Sequence, residues 1–202
     1  MTIDSNDILN SILSSLSRID YVQPEDIPNI DLYMDQITTF MEAHLSSSKR
    51  YADDKILTKT MINNYSKNHL LPPSEKKKYS KEHVLLLIFI YYFKNILSIK
   101  DIETLLSPLT EKFFHTDSSI PLTSIYEEVC KSEKSRIEEL QENVKEMYQN
   151  SLHSFEDAAN EDRDFLQLFM FICSLSFDVY VKKQMIEKMI DFLPDPEKKK
   201  KS

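Results

Sequence analysis

The sequence predicts an all-α fold, and two observations carry that expectation. Apolar residues recur at intervals of three and four along most of the 202 residues, the period of a helix face. No stretch alternates apolar and polar residues as a half-buried strand does, so at most a small two-stranded ribbon is expected, around Glu75 to Tyr79. With 41% hydrophobic and 29% charged residues, the chain is globular in composition and long enough to bury a sizeable core.

Ile8, Leu9, Ile12, Leu13, Leu16 and Ile19 form one face of a first helix over residues 3–19, and Pro24 and Pro28 mark the linker after it. Asp31 is expected to cap a second helix to about Leu45, with Tyr33, Ile37, Phe40, Met41 and Leu45 on one side. After a polar loop, Thr58 caps a short third helix. On it Met61, Ile62 and Tyr65 gather on one side, while Thr60, Asn63 and Lys67 centre the opposite face, flanked by Lys59 and Asn64.

Asn68 and His69 stop that helix, since both types tolerate the left-handed backbone conformation. Pro72 and Pro73 force an extended exit, and Lys76, Lys77 and Lys78 beside Tyr79 read as a basic, aromatic-tipped tongue. Ser80 opens a helix from Lys81 to about Ile96 that is apolar around most of its circumference and must be a central packing element. Ser98 with Asp101 forms a capping box for a helix through Leu105 and Leu106, and Leu109, Phe113 and Phe114 suggest a further short one.

Charge divides the chain. The stretch from Lys55 to Lys100 holds nine Lys and two Glu, a local +7, in a protein whose total is -8. Amide and Lys side chains on an exposed helix face suit base edges and phosphates, although such residues also serve simply to solvate a face. From Asp101 to Glu197 there are nine basic and twenty-one acidic residues, a surface that repels phosphate.

Tyr65, then Leu70-Leu71-Pro72-Pro73, then Tyr79-Ser80 opening an apolar helix, then Leu97-Ser98-Ile99 and Ile102 ending in Leu105-Leu106 resembles the winged helix-turn-helix of the MerR family of transcription regulators. The chain as a whole also resembles an uncharacterised bacterial family described as a domain of unknown function. The MerR resemblance implies duplex DNA as partner, with Lys59, Thr60, Asn63, Asn64 and Lys67 in the major groove and Lys76, Lys77, Lys78 and Tyr79 against the backbone. The chain departs from that family in three places: His69 stands where glycine is usual, Asn63 where a phosphate-binding Arg is usual, and the loop before Thr58 is longer.

Residues 123–155 keep a three-four spacing through Ile137, Leu140, Val144 and Met147. This helix either pairs two subunits, as the long helix of MerR-like regulators does, or packs within the chain. The acidic connector around Asp157, Glu161, Asp162 and Asp164 lies on an expected turn just before a helix and is not expected to hold a metal. The apolar run from Phe165 to Phe177 is too short to span a bilayer on this reading, and the helix from Phe165 to about Leu193 is expected to be the buried centre of a C-terminal bundle, dense enough in aromatic and Met residues for an apolar pocket or a subunit interface.

The absence of glycine excludes P-loops, GxGxxG turns and GxSxG elbows. Neither HExxH nor Glu-x-x-His occurs, and Cys130 and Cys173 lack CxxC spacing, so no enzyme, cofactor or metal is expected. Two separated cysteines without a secretory layout point to the cytoplasm and free thiols. The expected organisation is an N-terminal helix and linker (1–30), a helix-turn-helix domain (31–108), a helical C-terminal domain (109–195) and a basic tail (196–202). The expected function is a DNA-binding transcription regulator of the MerR-like type; the alternative is a non-catalytic interaction protein that keeps the fold and turns its basic surface toward an acidic protein or RNA.

Overall fold

The computed structural model describes residues 5–16 and 22–194. Among them are seven α-helices, α1 (Ser5–Leu16), α2 (Met34–Leu45), α3 (Lys59–Lys67), α4 (Lys81–Phe93), α5 (Ile99–Phe113), α6 (Leu122–Leu152) and α7 (Asn160–Ile190). One two-stranded ribbon joins β1 (Leu32–Tyr33) to β2 (Lys78–Tyr79). The all-α expectation with a minimal ribbon holds. The ends of the first helix at Ile3 and Ile19, and the basic tail at 196–202, lie outside the described residues.

The chain forms two compact units, one of Asp20–Cys130 with Ile186–Ser202 and the other of Met1–Ile19 with Lys131–Met185. The first is built around α4, in which every residue from His83 to Tyr91 is buried. Ile37 and Met41 of α2, Ile62 of α3, Leu70 and Leu71 after it, and Ile102 and Leu106 of α5 pack into the same core. The start of α6 belongs here too. Leu122, Tyr126 and Cys130 are buried with α4, the Tyr126 ring meets Phe89 edge-on at 5.3 Å, and its hydroxyl donates to the Val22 carbonyl at 2.8 Å. That packing carries this unit past the expected division at 108 to Cys130.

Two helix limits differ from the expected ones for local reasons. Asp31 does not cap α2, because Leu32 and Tyr33 are drawn into the ribbon; the Tyr33 N–H donates instead to Gln36 Oε1 at 2.8 Å. Nor does Leu106 end α5. The helix continues through Pro108, whose missing N–H and ring normally interrupt a helix, because Leu105, Leu106 and Leu109 keep its apolar face against the core. The capping box forms as read: Ser98 Oγ accepts from the Asp101 N–H and Asp101 Oδ2 from the Ser98 N–H, both at 3.2 Å.

The second unit has a small core of Leu9, Leu13, Tyr148 and Phe171, with Tyr148 and Phe171 edge-on at 5.3 Å. Here α7 overturns its expected role. Phe165, Phe169, Ile172, Phe177, Val179 and Tyr180 are exposed, and Phe171 alone of the apolar residues from Phe165 to Met185 is buried. Three helices, one of them strongly charged, are too few to surround a helix that is apolar on every side. With 31 residues and a mean hydropathy of 1.5 over its most apolar 18, α7 is also long and apolar enough to cross a membrane. Asp178 interrupts this apolar stretch without ending it.

Candidate nucleic-acid interface

Helix α3 is positioned by both of its ends. Thr58 Oγ1 accepts from the Met61 N–H at 3.2 Å, and Ile62 and Tyr65 are buried beneath the helix. At the other end Leu70 N donates to Tyr65 O at 2.9 Å and His69 N to Ser66 O at 3.3 Å, the paired bonds of a Schellman motif. His69 takes φ 57°, so the backbone there keeps the left-handed conformation that glycine would take, with the histidine bearing its steric cost. Leu70, fully buried, lies over Tyr65 and fixes the exit of the chain.

This anchoring leaves Lys59, Thr60, Asn63, Asn64 and Lys67 exposed together on one face, at the angles their spacing implied. The side chains of Thr60, Asn63, Asn64 and Lys67 make no hydrogen bond or ion pair among the described residues. Lys59 does: its ammonium pairs with Asp35 in the first turn of α2. Both side chains are more than half exposed, so the pair is weak and a phosphate can compete for the lysine.

The lysine tongue is a hairpin turn. Glu75 and Lys78 exchange backbone hydrogen bonds of 3.0 and 2.8 Å, and the residues between them, Lys76 and Lys77, take φ 50° and 64°. Two successive left-handed residues make a type I′ turn, a geometry that glycine and asparagine normally supply. Lys76 and Lys77 are exposed at its tip, and Lys78 is half-buried with its ammonium 5.3 Å above the Tyr33 ring. Tyr79 corrects the aromatic-tipped reading. Pleating sends it inward opposite Leu32, and it is buried with the core while Lys78 and Tyr33 face out.

Sequence reasoning missed Tyr33 and Asp35, whose role depends on the strand pairing of Tyr33 with Lys78, far apart in sequence. Two residues apart at the start of α2, they contact Lys78 of the ribbon and Lys59 of α3, bringing the two basic elements to one end of this unit. Two lysines of the basic stretch are excluded from any such surface. Lys81 Nζ donates to Pro24 O at 2.5 Å and Lys94 Nζ to Ile56 O at 2.8 Å, and burial holds the Lys94 ammonium below its ordinary pKa.

The turn yields a stability prediction. Lys76→Asn with Lys77→Gly puts favoured residues at both left-handed positions and should stabilise the protein by about 1 kcal/mol, read as a higher urea midpoint. An unchanged or lower midpoint would argue against the type I′ assignment.

Beneath the ribbon, His83 is buried against the rings of Tyr79, Phe114 and His115. Its Nδ1 accepts from the Ser80 N–H at 3.0 Å, and Ser80 Oγ lies 2.9 Å from both that nitrogen and His115 Nε2. Nε2 of His83 is buried without a hydrogen bond; the Pro73 and Pro72 carbonyls favour its protonated form without closing one. Burial dominates and pushes the His83 pKa below 6.5, with His115 adding to the shift.

A histidine with a depressed folded pKa leaves the unfolded state the better proton binder. Stability should therefore decline as pH falls below about 6.5 and level off once His83 itself protonates. His83→Phe should flatten that part of the profile in urea titrations between pH 7.5 and 5; an unchanged slope would assign it to other groups.

Among the described residues, no three His, Cys, Asp or Glu side chains are placed to hold a metal ion. A family model described as "Domain of unknown function (DUF1836)" matches residues 22–129. That segment contains the whole ribbon, α2 to α5 and the buried start of α6. No curated protein and no solved structure matches the chain.

Proposed function

The chain belongs to the DUF1836 family, whose match spans just over half of it, and from that premise we propose that the family segment is a MerR-like winged helix-turn-helix that binds duplex DNA as a transcription regulator. The observation that carries this reading is the exposed polar face of α3, held rigidly at both ends, with the Lys76–Lys77 turn tied toward it through Tyr33 and Asp35. Asn63 and Asn64 offer the donor–acceptor pair that matches the major-groove edge of adenine, and Lys67 and Thr60 reach guanine or phosphate. Lys76 and Lys77 supply sequence-independent phosphate contacts from a turn that stands clear of the core.

The test is fluorescence anisotropy of the purified chain on duplex DNA over a salt series. Affinity should fall steeply as salt rises, because each phosphate neutralised by a lysine releases condensed counterion. A chain that shows no affinity even at low salt would end the DNA reading.

A further inference from the structure

The geometry points to a second copy of this chain as the partner of α7, packed antiparallel along Phe165, Ile172 and Val179. These residues recur every seven positions and are 67%, 51% and 60% exposed, with Leu168 and Phe169 beside them at 40% and 53%. A seven-residue apolar repeat keeps one seam of a helix toward a partner helix, whereas lipid imposes no such period. This inference is independent of the DNA reading, since every residue in it lies outside 22–129.

Three further observations choose the partner. The exposed apolar side chains of α7, from Phe165 to Met185, form a larger apolar surface than a monomer usually leaves in water. Within the apolar stretch, Asp178 and Lys182 form an ion pair at 2.7 Å with the lysine more than half exposed. Facing lipid, such a pair would be expensive; at the edge of a protein seam it stays wet.

The helix ends also differ in sign. The first turns carry Glu161, Asp162 and Asp164 against Arg163, and the far end of this unit's portion carries Lys182 and Lys183. An antiparallel copy sets unlike ends together, and a parallel one sets like ends together. One register satisfies both requirements. With Ile172 opposite itself, Phe165 meets Val179 of the second copy, and Glu161 meets its Lys183.

The test uses the full chain without detergent. Sedimentation should give twice the chain mass, and Ile172→Glu should give the single-chain mass at the same concentration with unchanged helical circular dichroism. The position is half-exposed, so loss of pairing is separable from loss of fold. In a Cys173→Ser background, Ile172→Cys should form a disulfide dimer on oxidation. Phe165→Cys and Val179→Cys should each fail alone but cross-link when mixed. A monomeric wild type, self-cross-linking of Phe165→Cys alone, or a wild type that floats with phosphatidylcholine vesicles would each overturn the inference, the last in favour of a bilayer.

Discussion

Replacing Lys76, Lys77 and Lys78 together with Ala is expected to weaken binding to every duplex and to lower the slope of log affinity against log salt by about 2 to 3. The three lysines occupy one turn, and none is engaged with an acidic side chain among the described residues. Each that touches a phosphate therefore contributes its own released counterion. Lys78→Ala also removes the cation over Tyr33, an exposed contact of about 0.5 to 1 kcal/mol, so some loss of ribbon order accompanies the triple change.

The Lys76→Asn, Lys77→Gly variant separates the two effects, because it removes charge while favouring the same turn. If affinity depends on the lysines as charges, this variant should lose about 2 from the slope despite being more stable. Base readers should behave otherwise. Asn63→Ala or Lys67→Ala should cost about 1 to 3 kcal/mol on a preferred site and much less on random DNA. Uniform losses from both groups would leave no sequence reading on α3.

The second large effect concerns the core. Leu86→Ala, at a fully buried position in the middle of α4, should destabilise the protein by about 3 to 5 kcal/mol in denaturant titration. Against a typical total of about 5 to 15 kcal/mol, that change alone brings the family segment close to unfolding. The same substitution at Leu140, nearly half exposed on α6, should cost well under 1 kcal/mol. Equal losses at the two positions would contradict the central placement of α4.

Much of this was legible because helical period converts directly into faces. Placing residues 100° apart separated Ile62 and Tyr65 from Thr60, Asn63 and Lys67, and the structure buries the first pair and exposes the second set. The stop at Asn68 and His69 was readable from residue type, since few non-glycine residues enter the left-handed region easily. Tyr79 was misread because a two-residue strand is too short to display an alternation. Only its pairing with Leu32 shows which of Lys78 and Tyr79 faces inward.

Partnership was the other illegible quantity. The apolar circumference of α4 and that of α7 look alike in sequence, yet the first is enclosed and the second lies open. Period says that a face needs covering; it does not say which element, or which molecule, covers it. The pairing of Asp35 with Lys59 belongs to the same class, since nothing local links residues 24 apart.

The unbroken burial of α4 from His83 to Tyr91 governs how this molecule exchanges its amide hydrogens with deuterated solvent. Those amides reach solvent only when the surrounding unit comes apart, so their exchange tracks global opening. The Glu75–Lys78 turn, held by two backbone bonds at the surface, opens alone and exchanges early. A ligand that merely stabilises the fold would slow exchange in α4 and leave the turn unchanged, whereas one that sits on the turn would protect the turn's own amides. The helix thus acts as an internal clock against which occupancy of the basic surface can be timed.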